Sequence, residues 1–183
     1  MNAKFFRTIL AVAAITVSFA GNALGQYQQS RPQSHSGFWF SAGLGYGTLG
    51  CQDCTGRTGG LSGNLALGGS LSHKLLLGVA SNGWVKSENG TTLSVNAITA
   101  AVRFYPAVRS GFFLMGGLGV GFVSAGFSGG SASESGVGAL LGLGYDIRLA
   151  HSFSLTPYWN GFAMNSSNVD ANVGQIGLGI TVR

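Results

Sequence analysis

Residues 112–123 read Phe-Phe-Leu-Met-Gly-Gly-Leu-Gly-Val-Gly-Phe-Val, and taking every second residue separates them into two unlike surfaces. Phe112, Leu114, Leu118, Val120 and Phe122 fall on one side, with Gly116 the only gap. Phe113, Met115, Gly117, Gly119, Gly121 and Val123 fall on the other, where glycine dominates. A period of two over this length marks a strand, because a helix scatters both sets around its axis. The stretch is about as long as the roughly 9–11 residues with which a tilted strand crosses a bilayer. An apolar outer face with aromatics near both ends, over an inner face of very small residues, suits a narrow membrane barrel.

The N-terminus follows different rules. Lys4 and Arg7 form a basic start, Ile9 to Ala20 an apolar core, and Ala23-Leu24-Gly25 a small-residue cleavage site. This is the pattern of an export signal, so residues 1–25 are expected to be removed before Gln26. The apolar run is too short for a spanning helix, and no stop-transfer segment follows it. Residues 26–36 are polar, with Pro32 and His35, and read as a flexible lead-in. Residues 37–183 carry the repeating strand pattern and form one barrel domain.

Composition agrees. Charged residues make up 8% of the chain, against about a quarter in soluble domains, and the 32 glycines show no collagen period. Much of the surface therefore needs no water-facing charge, as lipid exposure requires; a secreted, glycine-rich aggregating chain is the competing explanation. Setting Lys4 and Arg7 aside from ten Lys and Arg leaves eight, against five Asp and Glu. These charges are spread singly rather than in a stripe, which argues against a nucleic-acid partner. A soluble lipocalin-like barrel would need Lys, Glu and Asp where this chain has glycine and serine.

Cys51 and Cys54, spaced C-x-x-C, are the only cysteines. With no second pair and no helix start after Cys51, zinc and redox readings lose to a local disulfide in an exported loop. So short a loop adds little global stability.

Eight strands are expected: Gly37–Leu49, Leu61–Leu71, Leu75 to about Lys86, Thr92–Tyr105, the opening stretch, Gly136–Leu149, one from Phe153, and Val173–Arg183. Ser87-Glu88-Asn89-Gly90 is a hairpin turn of the asparagine–glycine kind. In the fourth strand, Ile98, Ala100, Val102 and Phe104 facing lipid put Arg103 inside. The same phase turns Ser94 and Asn96 outward, so they lie near headgroups or a bulge shifts the register. Ser124 to Ser135 reads as a Gly/Ser loop, and Pro157 weakens the seventh strand because it lacks an amide donor. Connections near residues 72, 107 and 151 are short, and those near 55, 129 and 168 are longer and polar. Starting and ending on the periplasmic side places the longer class outside.

The chain resembles the small eight-stranded outer-membrane barrels of the OmpA/OmpX type over essentially all of residues 37–183. The resemblance is carried by RFYP (Arg103 to Pro106), GFFLMGGLGVG (Gly111 to Gly121), GLGYDIRL (Gly142 to Leu149) and QIGLGITV (Gln175 to Val182). Gln175, Gly177, Ile180 and Val182 match the assembly signal that such barrels present to their insertion machinery, although Val182-Arg183 stands where an aromatic is common. The resemblance implies an all-β, eight-stranded antiparallel up-and-down transmembrane barrel in the outer membrane of a Gram-negative-type cell. It further implies periplasmic chaperones and barrel-assembly machinery as partners during biogenesis, outer-membrane lipid as surroundings, and a monomer.

Some barrels of this size modify lipid A, which makes each histidine a candidate catalytic group. His151-Ser152 and His73 fall in expected periplasmic turns and His35 in the lead-in, away from outer-leaflet lipid. No catalytic, cofactor or metal site is expected. Arg103, Asp146 and Arg148 should point inward near the periplasmic end, with Tyr105 and Tyr158 at similar depth. They form either an ion-paired plug, favoured because eight strands leave room only for side chains, or the selectivity element of a small pore. The inward glycines permit either a wet channel or close packing around Trp39, Trp84 and Phe113. The expected role is structural or surface interaction through extracellular loops, with a narrow pore as the alternative and a lipid A-modifying enzyme further behind.

Overall fold

The computed structural model describes residues 37–51, 56–107, 109–127, 129–150, 152–167 and 169–183. The expected signal peptide, the lead-in, Cys54 and His151 lie outside them. The elements are β1 (Phe38–Cys51), β2 (Thr58–Ser70), β3 (Leu75–Glu88), β4 (Thr91–Phe104), β5 (Phe112–Phe127), β6 (Gly130–Tyr145), β7 (Ile147–Arg148), β8 (Phe153–Asn165) and β9 (Asp170–Val182).

From β1 to β6 each strand pairs antiparallel with the next, β8 pairs with β9 and β9 with β1, and β6 and β7 both pair with β8, so the sheet closes on itself. β6 and β7 are one strand interrupted at Asp146, which makes the wall eight-stranded. The register is the same on both sides of the break, Gly144 facing Tyr158 and Ile147 facing Leu155, so no residue is inserted. That register sets Tyr145 opposite Pro157, which cannot return an N–H. The sequence's one misplaced proline thus coincides with the one interrupted ladder.

The pairing fixes the barrel's geometry. Partner by partner, Phe40 leads through Leu67, Val79, Ala100, Leu118, Ala139, Ala163 and Asn172 to Gly50, ten residues above the start. With strands about 4.8 Å apart and a rise of about 3.3 Å per residue, that stagger tilts the strands by about 40°. Each residue then climbs about 2.5 Å along the barrel axis, so Phe112 and Phe122 stand about 25 Å apart, the height of an apolar lipid-facing band.

The two-residue period holds throughout this band. Leu44, Leu118 and Leu141 are about 70% exposed on the outside, while Trp39, Trp84, Phe113 and Phe162 are buried inside. In β4 the phase with Arg103 inside prevails, and its pairing with β3 and β5 runs without a bulge. Ser94 and Asn96 therefore face outward in the loop-side half of the strand, Asn96 level with Phe122 at the upper edge of the band. The Ser87–Gly90 turn closes on Asn89 and Gly90, both at positive φ, as a two-residue hairpin of this type requires.

Two expectations are corrected. Ser124–Ser135 is mostly strand rather than loop: Ser124 pairs with Ser133, Ala125 with Ala132, and Phe127 with Gly130. Above the apolar band both faces of a hairpin meet water, so backbone pairing continues without any hydrophobic alternation to announce it. The sixth strand is likewise not continuous to Leu149, for the reason given at Pro157.

Candidate functional site

Polar and charged side chains converge in the lumen, which is filled from both ends. At the tight-turn end, Arg103 projects inward from β4 with its guanidinium carbon 4.4 Å from the Trp39 ring centroid and 4.2 Å from that of Phe113. Such sandwiching compensates part of the cost of burying a cation. Asp146, on the inward phase of the same strand as Leu140, turns its carboxylate into the same space. Its Oδ2 accepts the Tyr105 hydroxyl at 2.7 Å and its Oδ1 the Thr156 hydroxyl at 2.7 Å, and it forms an ion pair with Arg183. Thr181 Oγ1 lies 2.9 Å from Thr156 Oγ1 and 3.0 Å from Ser41 Oγ, and this run of hydroxyls carries the network onto β1.

Arg103 and Asp146 are thus brought together, and Arg148 is not. It is exposed at the mouth, two residues beyond Asp146. Its strand β7 is only two residues long, pairing Ile147 with Leu155 and Arg148 with Ser154. Arg183 takes the expected place, its guanidinium pairing with Asp146 and lying 5.5 Å from the Tyr105 ring centroid. The signal for it was available, since the period that puts Thr181 inside also puts Arg183 inside.

At mid-height three amides meet. Asn160 and Gln175 both donate to Asn82 Oδ1, at 3.1 and 2.9 Å, and all three are at most 1% exposed. Gln175 and Gly177, read in sequence as half of an assembly signal, line the lumen, while Ile180 and Val182 sit on the outward phase of β9. Toward the loop end the filling becomes apolar. Trp84, Leu140, Phe162, Met164 and Val173 are buried, and Trp84 Nε1 donates to the Gly47 carbonyl at 3.0 Å.

The inward glycines receive these large groups. A Cβ added at Gly144 would lie 2.5 Å from Phe113 Cζ, at Gly43 2.6 Å from Tyr158 Cε1, at Gly121 2.6 Å from Met164 Cβ, and at Gly60 2.8 Å from Trp84 Cε2. Close packing is the outcome, and the volume that glycine surrenders is taken by rings and by Met164.

At the loop end, Cys51 closes β1 and is disulfide-bonded. His73, in the tight turn after β2, is exposed. Among the described residues no group of three or more His, Cys, Asp or Glu could hold a metal ion. Strands β3 to β6 continue beyond the apolar band as a projecting wall, in which Thr92 pairs with Gly126 and Gly126 with Ser131. β6 pairs with β8 only from Val137 downward, so Ser131–Ser133 present an open strand edge among the described residues.

No protein-family model and no curated protein matches this chain. Solved structures with the same fold include Neisserial surface protein A, at 16% identity and a TM-score of 0.66, covering 80% of this chain and 97% of that one. They also include Ail, the attachment invasion locus protein of Yersinia pestis, at 15% identity and a TM-score of 0.58, covering 80% and 99%. Ail in complex with the heparin analogue sucrose octasulfate matches at 15% identity and a TM-score of 0.59, covering 79% and 99%. The chain has the fold of the small eight-stranded outer-membrane barrels.

Proposed function

We propose that this protein is an outer-membrane barrel that acts by contact at its loop end, with tight turns in the periplasm and longer connections outside. The observation that carries this reading is the filled lumen. Arg103 is clamped between Trp39 and Phe113 at one end, and Trp84, Phe162 and Leu140 are buried at the other. A barrel packed in this way has its function left to its outer surface, and the wall formed by β3 to β6 extends that surface past the membrane. The open edge at Ser131–Ser133 offers unpaired backbone groups to an extended polypeptide, which adds to a sheet through main-chain hydrogen bonds.

The test is panning of the refolded protein against a displayed library of unstructured peptides. The counter-screen is a variant in which residues 124–133 are replaced by a two-residue Asn-Gly turn between the paired Val123 and Glu134. The reading requires binders that are lost on the shortened hairpin, and equal recovery on both proteins would sink it.

A narrow pore is the second reading, supported by a different observation. Arg103 Nε and Nη1, Asn82 Nδ2, Asn160 Oδ1, Gln175 Oε1 and the Tyr158 hydroxyl are buried without a hydrogen-bond partner among the described residues. Buried polar groups of this kind are satisfied by internal water, which a conducting state would connect.

A further inference from the structure

Outside the lumen, on the loop-end half of the wall, a cation overhangs an apolar hollow. Gly161 of β8 and Gly174 of β9 are directly paired and both face outward, and Ala139 and Ala163 continue the small-residue floor. Trp159 and Tyr46 wall it, and the groove encloses about 690 Å³. The Trp159 ring leans over the floor, its Cη2 3.3 Å from where a Cβ on Gly161 would lie.

Arg57 crosses the upper mouth of this groove. Its Nε donates to Thr48 Oγ1 at 2.9 Å, its Nη1 to Asn172 Oδ1 at 2.8 Å, and its Nη2 to the Thr48 carbonyl at 2.7 Å. A guanidinium has five N–H donors, so one remains on each terminal nitrogen. No acid among the described residues pairs with Arg57, the two ion pairs there being Lys86–Glu88 and Asp146–Arg183. Nη2 lies 3.8 Å from where a Cβ on Gly174 would stand, at the edge of the floor. A cation is thus held in place by three bonds, with two donors free, directly over an apolar groove at headgroup height.

We propose that this groove holds a phosphorylated glycolipid of the outer leaflet, an acylated glucosamine disaccharide of the lipid A class. One acyl chain lies between Trp159 and Tyr46, and a phosphate accepts the two free Arg57 donors. The apolar floor requires a lipid rather than free phosphate. A zwitterionic phospholipid brings its own cation to its phosphate, whereas lipid A brings none, and a planar fork matches phosphate oxygens in pairs. The assignment rests on the reading above that the loop end faces outward.

Trp159 provides the test. It is 43% exposed on the outer wall, whereas Trp39 and Trp84 are buried in the lumen, and the chain has three tryptophans. The chain is refolded into phosphatidylcholine vesicles whose acyl chains carry bromine, which quenches an adjacent indole, and lipid A is then added. We expect lipid A to be enriched beside Trp159 about fivefold over its bulk share, the effect of one basic side chain on an anionic headgroup. Enrichment should vanish with dephosphorylated lipid A and in Arg57→Gln, and persist above twofold in Arg57→Lys, with folding checked by heat-shifted gel migration. Dequenching that merely follows bulk composition, or that is equal in Arg57→Gln, would overturn the site. Equal enrichment of phosphatidylglycerol would overturn the choice of a saccharolipid. Lipid A present in both leaflets makes the result independent of orientation, and protease cleavage of the loops on intact cells reads the orientation separately.

Discussion

Asp146 receives the Thr156 hydroxyl at 2.7 Å across the one interrupted ladder in the barrel, beside the proline that causes the interruption. The buried carboxylate follows the inward phase that Asp146 shares with Leu140, and its backbone N–H still donates to the Gly111 carbonyl at 2.9 Å on the β5 side of the break. Asp146 then joins Tyr105, Thr156 and Arg183, binding the ends of the chain's turn-side segments to one another.

Removing that carboxylate should be costly. Asp146→Ala leaves Arg183 without its ion pair and Arg103 without a nearby countercharge, and breaking a buried pair costs about 3–5 kcal/mol. The refolded variant should lose its compact gel migration at a clearly lower temperature than the parent. Asp146→Asn, which keeps the hydrogen bonds to Tyr105 and Thr156 in reach, should fall between the two.

The inward Gly43 and the outward Gly116 should respond unequally to added volume. Gly43→Val forces a side chain against Tyr158 and Asn64, an overpacking expected to cost about 1–3 kcal/mol. Gly116 is the gap in the outward face, and its Cβ would sit 3.7 Å from Leu141. Gly116→Ala should change stability by no more than about 0.5 kcal/mol. Urea unfolding from vesicles measures both, and equal effects at the two sites would show that the lumen is not packed as described.

The lipid-facing assignment predicts a dependence on depth. Leu118 stands mid-band and about 70% exposed, so Leu118→Arg should cost roughly 2–4 kcal/mol in a bilayer. Ser124→Arg, on the same face of β5 but beyond Phe122, should cost no more than about 1 kcal/mol. A soluble barrel would tolerate both alike.

Restoring the missing donor should mend the ladder. Pro157→Val supplies an N–H opposite Tyr145, and the new bond is worth about 1 kcal/mol. Hydrogen exchange should find the amide at position 157 protected and Trp159 unchanged. A fully exchanging amide at 157 would mean that something other than the proline interrupts the strand.

These residues also show what was legible in the sequence. Within the apolar band each strand has one face on lipid and one on the lumen, so alternation names the face of Phe113, Trp84, Asn82 and Arg103 directly. Depth is another matter. It is set by the ten-residue stagger of the closed sheet, a property of all the pairings together, which is why Arg148 shares Asp146's parity yet is exposed at the mouth. The same stagger brings Asn82, Asn160 and Gln175 to one level, although nothing in their local sequence links them. Arg57 carries no local signal of its contacts, because its neighbours Thr48 and Asn172 belong to other strands. Above the band, where both faces meet water, alternation carries no information, and the Ser124–Ser135 hairpin was invisible for that reason.

The account's central claim is that the lumen is filled and function lies on the outer surface, and planar-bilayer recording of refolded protein tests it most directly. With folding verified by a boiled-versus-unboiled gel shift, the account predicts no steady conductance at moderate voltage. Discrete, reproducible channels that disappear when Arg103 or Asp146 is substituted would contradict it and establish the pore.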